Sequence, residues 1–208
     1  MVHIKLCGFT KEEDLKKAVE LGVEYVGIVL YPESPRYVGW DRIGALLEAG
    51  RGANRVAVMV NPTYEEVKEA LQVGFDLIQL HGEEDLSLAK RIGLERVIKA
   101  FRTCHELSLP EDWKRAHGVL LDACSRLYGG SGQKADWKMA REVVEKGFRV
   151  FLAGGLKPDN VAEAIKDVGP YGVDASSGVE RSPGIKDHRR MEEFVHAVKN
   201  AFENRHQP

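Results

Sequence analysis

A single-domain (β/α)8 TIM barrel over residues 1–208 is the fold class the sequence predicts, and it rests on three observations. Eight short β-rich runs recur along the chain, most of the intervals between them hold a helix-periodic segment, and no Pro-, Gly- or Ser-rich linker divides them. Alternating strand and helix implies parallel pairing, and eight such units are the number that closes a parallel sheet on itself. An open doubly wound sheet is the alternative at this point, because periodicity does not itself show closure. A chain of 208 residues is long enough for one sizeable core and short for two ordinary domains.

The elements follow in order. The first run is HIKLC (3–7); after it Thr10 and Glu13 have capping-box spacing, and Leu15, Ala18, Val19 and Leu21 form an apolar stripe ended by Gly22. YVGIVL (25–30) and RVAVMV (55–60) are the second and third strands, and Asn61-Pro62-Thr63 opens a helix whose stripe is Val67, Ala70 and Leu71. DLIQL (76–80) and RVIKAF (96–101) come next; HELSLPEDWKRA (105–116) then leaves room for only a short or irregular helix before GVLLD (118–122). A helix starts near Trp137, RVFLA (149–153) is the seventh strand, Pro158 and Asp159 precede a stripe of Val161, Ala164 and Ile165, and GVDA (172–175) is the eighth.

Composition excludes several classes of function. With 43% hydrophobic residues, 30% charged residues and a net charge of -2, the chain has no electrostatic bias toward nucleic acid or acidic membranes, and small-molecule chemistry fits better. Its cysteines, Cys7, Cys104 and Cys124, match neither CxxC metal spacing nor the disulfide density of a small secreted domain. No apolar run has signal-peptide or membrane-spanning length, so the cytoplasm is the expected compartment. Monomer and homodimer barrels share these patterns, and one chain shows no interface.

In a barrel of this kind the loops after the strands assemble one mouth, where chemistry is found. Cys7 ends the first strand, Arg36 follows the second within YPESPR, His81 follows the fourth and Asp122 ends the sixth. Asp122 closes an otherwise apolar run, so it sits at the edge of a poorly solvated interior that favours a protonated carboxyl, the condition of a general acid. Capping of the next loop, or pairing with a cation at the mouth, is the structural alternative for it. Taken alone, Cys7 reads first as a small buried hydrophobe, since free cysteine is among the most buried residue types, with a reactive thiol at the strand end as the alternative. YGGSGQ (128–133) is a close-approach loop, a lid or a plain connector. AGGL (153–156) and SSGVE (176–180) directly follow strands seven and eight, where barrels commonly seat a phosphate on glycine N–H groups; Gly154, Gly155, Ser176, Ser177 and Gly178 supply donors there. Strand parity puts Lys5 on the face of Cys7 and Gln79 on the face of His81, and an inward Lys5 needs an anionic partner, for which Asp174 on the adjacent strand is placed. His3, His105, His117, His188, His196 and His206 read as surface or terminal residues and form no ligand cluster, so no metal site is expected.

Together KLCGFT, GIVLYPESPRYV, VNPT, IQLHGEE, VIKAF, LLDACSRLYGGSG, LAGGLKPDNV and DASSGVERSPGIKD resemble the phosphoribosylanthranilate isomerase family, in order and over nearly the whole chain. Departures are mild: Ala135 stands where an aromatic is usual after the GGSG loop, and Phe9 where isoleucine is usual after KxCG. The resemblance implies a cofactor-independent aldose-ketose isomerisation, an Amadori rearrangement of N-(5-phosphoribosyl)anthranilate in tryptophan biosynthesis. It implies Asp122 as the acid that opens the ribose ring and Cys7 as the base at the second ribose carbon. A thiolate suits that task once a neighbouring cation lowers its pKa, with Lys5 or the first helix's N-terminus as the source. It further implies Arg36 on the anthranilate carboxylate, His81 lining the pocket, and the phosphate on Gly154, Gly155, Ser176, Ser177 and Gly178. Other readings are another sugar-phosphate isomerase on the same barrel, a non-catalytic phosphate-ligand barrel, and a redox sensor pairing Cys7 with Cys104 or Cys124.

Overall fold

The structure, a computed structural model, describes residues 1–103, 107–123 and 136–203. Cys104, His105, Cys124, the 128–133 glycine loop, Ala135 and His206 lie outside the described residues, and with them the redox pairing.

Strands β1 (His3–Cys7), β2 (Tyr25–Val29), β3 (Asn54–Met59), β4 (Leu77–Leu80), β5 (Val97–Arg102), β6 (Gly118–Asp122), β7 (Val150–Leu152) and β8 (Gly172–Ala175) pair in parallel in chain order. β8 pairs back onto β1 with Lys5 opposite Asp174, which closes the barrel and removes the open-sheet alternative. Helices α1 (Glu12–Glu20), α2 (Trp40–Ala49), α3 (Tyr64–Val73), α4 (Leu86–Ile92), α5 (Trp137–Glu145) and α6 (Val161–Val168) lie in crossovers between strands, and α7 (His188–Glu203) follows the last of them. None of them is long and apolar enough to cross a membrane.

Each strand is buried on both faces, so the apolar residues divide into two cores. Leu15 and Ala18 of α1, Val67 and Ala70 of α3, and Ala164 and Ile165 of α6 are buried in the outer core with the outward residues of the strands. The inward residues form a second cluster, including Tyr25, Val29, Val56, Val58, Ile98, Leu120 and Phe151. Its floor is aromatic: the Phe151 ring meets Tyr25 at 5.2 Å and Tyr171 at 5.3 Å, both edge-on. His3 and His117, expected at the surface, join this floor. The His3 ring lies 4.5 Å from Tyr171, and His117 Nε2 is 3.1 Å from the Tyr25 hydroxyl, because their strand-start positions turn the rings under the barrel.

Local signals and tertiary contacts disagree at one helix start. Thr63 caps α3 with a full capping box to Glu66, as Asn-Pro-Thr announces. Thr10 does not cap α1, which begins at Glu12 without a side-chain cap; its hydroxyl instead donates to the Gly184 carbonyl at 2.5 Å. The crossover between β5 and β6 holds only 3-10 turns at Glu111–Arg115 among the described residues, with Trp113 buried and its ring 5.8 Å from Phe101. After β8 the chain makes a 3-10 turn, Ser177–Val179, and a two-stranded hairpin of β9 (Glu180–Ser182) and β10 (Ile185–Lys186) before α7.

Candidate active site

One cavity opens at the C-terminal ends of the strands. Cys7, Arg36, His81, Asp122, Gly154, Gly155, Ser176 and Ser177 all line it, with Val29, Tyr31, Ser34, Val58, Val60 and Leu156 among the other walls. Gly178 lies outside this lining and borders the adjoining cleft with Lys157 and Ser177.

Parity sets the inward face at this end. Lys5, Cys7, Gln79, Asp122 and Asp174 point in because they alternate with the outward Leu6, Leu80, Leu121 and Ala175 of the outer core. Lys5 has no exposed side-chain surface, and its Nζ lies 3.0 Å from Asp174 Oδ1. Burial works against the Lys5 ammonium, but Asp174 and then Cys7 outweigh it and hold its pKa above the ordinary value. Cys7 sits opposite Gly27 of β2, and a Cβ on Gly27 would come within 2.8 Å of Sγ, so the glycine makes the seat for the thiol.

The direction of the Cys7 pKa corrects the expectation of a lowered value. Burial pushes the thiol above its ordinary 9.0 and Asp174 adds to the rise, while Lys5, Lys186 and Arg36 pull it down. The cations are in place, but desolvation of the thiolate exceeds their effect.

Asp122 is held from its own loop. Its Oδ1 accepts from the Ala123 N–H at 2.8 Å, and its carbonyl accepts from both the N–H and the hydroxyl of Thr103 at 3.0 Å. His81 Nε2 lies 3.5 Å from Asp122 Oδ2, and Gln79 Nε2 lies 2.8 Å from His81 Nδ1. With the Gln79 amide in this orientation Nδ1 accepts, so the imidazole proton sits on Nε2, facing the carboxylate. The loop after β4 is fixed from below: Lys99 Nζ donates to the Gly82 carbonyl at 2.7 Å and to Glu84 Oε2 at 2.8 Å, and Glu84 in turn accepts from the Gly82 and Asn61 N–H groups.

Across the cavity, the guanidinium of Arg36 is forked onto Glu180, with Nε 3.0 Å from Oε1 and Nη2 2.7 Å from Oε2. Nη1 carries no hydrogen bond to any described residue and stays available for a second carboxylate. Gly154 and Gly155 both have positive φ, 84° and 66°, which an L side chain adopts only under strain, and no described residue accepts from their N–H groups. Asn160 steadies that turn by donating to the Gly155 carbonyl at 3.0 Å and accepting from the Lys157 N–H at 2.9 Å. These donors stand beside the Ser176 and Ser177 turn on the same cavity, the kind of glycine-rich, side-chain-free N–H arrangement that suits an anion.

Sequence reasoning missed Glu180, Lys186 and Asn160 as buried polar partners. For Glu180 and Lys186 a signal existed: Ser182-Pro183-Gly184 announces a tight turn, and residues flanking it at strand spacing face one another. Tyr31 and the valines of the wall were invisible, because an apolar side chain at a strand end reads as ordinary core.

Comparison with known proteins agrees with this geometry. A family model for N-(5'-phosphoribosyl)anthranilate (PRA) isomerase matches residues 4–197. The N-(5'-phosphoribosyl)anthranilate isomerase of Aquifex aeolicus is 47% identical over 203 residues, covering 96% of this chain and all of that protein. The crystal structure of phosphoribosyl anthranilate isomerase from Thermotoga maritima superposes with a TM-score of 0.87 at 38% identity, over 96% of this chain and 100% of that one. A second phosphoribosyl anthranilate isomerase, solved with reduced 1-(o-carboxyphenylamino)-1-deoxyribulose 5-phosphate, gives 0.81 at 35% identity with the same coverage of both chains. From its first strand into its last helix, this chain belongs to the N-(5'-phosphoribosyl)anthranilate isomerase family.

Proposed function

We propose that the cavity converts N-(5'-phosphoribosyl)anthranilate to 1-(2-carboxyphenylamino)-1-deoxyribulose 5-phosphate, with Asp122 as general acid and Cys7 as general base. The observation that carries this reading is the placement of both groups on one cavity, between the Gly154–Gly155 anion seat and the Arg36 guanidinium. A substrate with a phosphate at one end and a carboxylate at the other is then held at both ends, and binding energy is spent on orienting its ribose against the two groups.

Asp122 donates its proton to the furanose ring oxygen. The ring opens, and the nitrogen lone pair forms the C=N bond of a protonated Schiff base. Cys7 then removes the proton from the second ribose carbon; the released electron pair forms the C1–C2 double bond and neutralises the iminium nitrogen. The resulting enolamine takes a proton at C1 and loses its enol proton, leaving the ketone. His81, 3.5 Å from Asp122 through Nε2, stabilises the carboxylate left once the proton has gone. Val29, Val58 and Tyr31 line the cavity with apolar surface suited to the anthranilate ring. Arg36, still forked to Glu180, offers Nη1 to the anthranilate carboxylate.

The test is the fluorescence decay of freshly made substrate with wild type, Cys7→Ser and Asp122→Asn, with binding of reduced product analogue measured in parallel. Both variants are expected to bind within a few-fold of wild type and to lose at least about 100-fold in kcat, the usual scale of a missing acid or base. Near-normal turnover in either variant removes that residue from its role.

A further inference from the structure

Lys186 is, with Lys5, one of two lysines beside Cys7 whose side chains are wholly buried and that the acid-base scheme leaves unused. Its side chain has no exposed surface, and the three protons of its ammonium have three acceptors: the Cys7 carbonyl, Glu180 Oε1 at 2.9 Å and the Ser176 carbonyl at 3.5 Å. Cys7 ends β1, and Ser176 follows β8, which lies beside β1 in the closed sheet. The ammonium therefore joins the strand end that carries the thiol to the turn that forms part of the anion seat.

The hairpin brings it there. Lys186 on β10 pairs with Glu180 on β9 in antiparallel register. Its backbone is anchored from α1, where buried Asp14 accepts from the Lys186 N–H at 3.1 Å and from His188 Nε2 at 2.7 Å. Glu180, the carboxylate Lys186 holds, is the same one that forks Arg36.

The groups facing Cys7 are Lys5 from its own strand, Asp174 from β8, Lys186 from β10 and Arg36 from the loop after β2. With Glu180 included, three cations face two carboxylates, and the cluster carries one unit of positive charge in excess. A purely structural clip between two carbonyls has no need of that charge, and burying an ammonium costs stability unless it is paired.

We propose that Lys186 is a positioning residue of the active site: it clips the ends of β1 and β8 together, fixes Glu180 so that Arg36 is aimed into the cavity, and supplies the excess positive charge beside the Cys7 sulfur. The inference deepens the function proposed above and rests on Cys7 as the base. Burial depresses the Lys186 pKa, and Glu180 and then Cys7 counter it.

Two independent readouts test it, in a Cys104→Ser/Cys124→Ser background so that Cys7 is the thiol observed. In Lys186→Met, alkylation of Cys7 by iodoacetamide at pH 8 is expected to slow about tenfold, the equivalent of one unit in thiolate equilibrium. The alkaline limb of kcat/KM is expected to move up with it. In Glu180→Gln the charge effect reverses: alkylation quickens, while KM rises because Arg36 has lost its fork. This second variant reads the same cluster should Lys186→Met fail to fold. Slower alkylation with an unmoved pH profile of turnover upholds Lys186 as the source of charge and removes Cys7 as the base. Wild-type alkylation in folded Lys186→Met, or slower alkylation in Glu180→Gln, overturns the proposal.

Discussion

Replacing Gly27 by alanine places a methyl group where the Cys7 thiol now sits. The new Cβ would lie 2.8 Å from Sγ, 3.2 Å from the Cys7 Cα and 3.3 Å from its Cβ. Non-bonded carbon atoms settle at about 3.5–4.0 Å and sulfur is no smaller, so the thiol must retreat by roughly 0.7 Å or more. The close Cα and Cβ oppose a simple rotation away, and both strands are central in the closed sheet. A misplacement near 1 Å costs up to about 100-fold in a positioned reaction, so kcat should fall about 10- to 100-fold. KM should change little, because the methyl touches neither Arg36 nor the Gly154–Gly155 turn. Overpacking costs about 1–3 kcal/mol, which for a chain of this size lowers Tm by about 2–12 °C. The assay is steady-state turnover followed by substrate fluorescence, with thermal unfolding alongside. Gly44→Ala is the control: this exposed position in α2 has nothing within 4 Å of a new Cβ, so it should gain up to about 1 kcal/mol and keep its kcat. Normal kcat in folded Gly27→Ala would refute the claim that the glycine seats a working thiol.

Gly8→Ala should act on binding instead. Its φ is +82° and a Cβ would meet Arg36 Cδ at 2.4 Å, so the guanidinium must move; KM should rise at least about tenfold, the worth of a charge-assisted hydrogen bond, with a smaller change in kcat. Because burial holds the Cys7 thiol above 9.0, alkylation of Cys7 by iodoacetamide in a Cys104→Ser/Cys124→Ser protein should keep accelerating as pH passes 9, and a rate that levels off below pH 8 would contradict the raised thiol. His117 governs a stability effect. Burial, then Arg149, depresses its pKa below 6.5, so between the folded value and 6.5 the unfolded chain binds more protons than the native one. Stability should therefore fall as pH drops below 6.5, and His117→Gln should flatten that slope in urea titrations at pH 7.5 and 5.5.

Most of the framework was legible in the sequence because barrel strands carry local signals. β1, β6 and β8 begin and end where HIKLC, GVLLD and GVDA do, since each is an apolar run bounded by glycine or polar residues. The strand ends named the cavity's polar groups, because a parallel barrel sends every strand's C-terminus to the same mouth. Period-two parity alone put Lys5 beside Cys7 and His81 above Gln79. Closure, which joins residues 169 positions apart in the Lys5–Asp174 pair, has no local signature, yet it decides that these side chains face one interior.

The remainder was set by contacts between distant segments. Thr10 has the local chemistry of a helix cap, but the hairpin's Gly184 carbonyl lies within reach and takes its hydroxyl. Arg36 is assigned in the sequence only to the anthranilate carboxylate; in the fold, Glu180, 144 positions along the chain, takes its Nε and Nη2 and so gives it a fixed direction. Residue types and their order thus determined the barrel, the chemistry at its mouth and the family. The tertiary structure decided which charges neutralise one another and how far water is excluded from Cys7, because Coulombic pairing and desolvation depend on distances that only the closed fold sets.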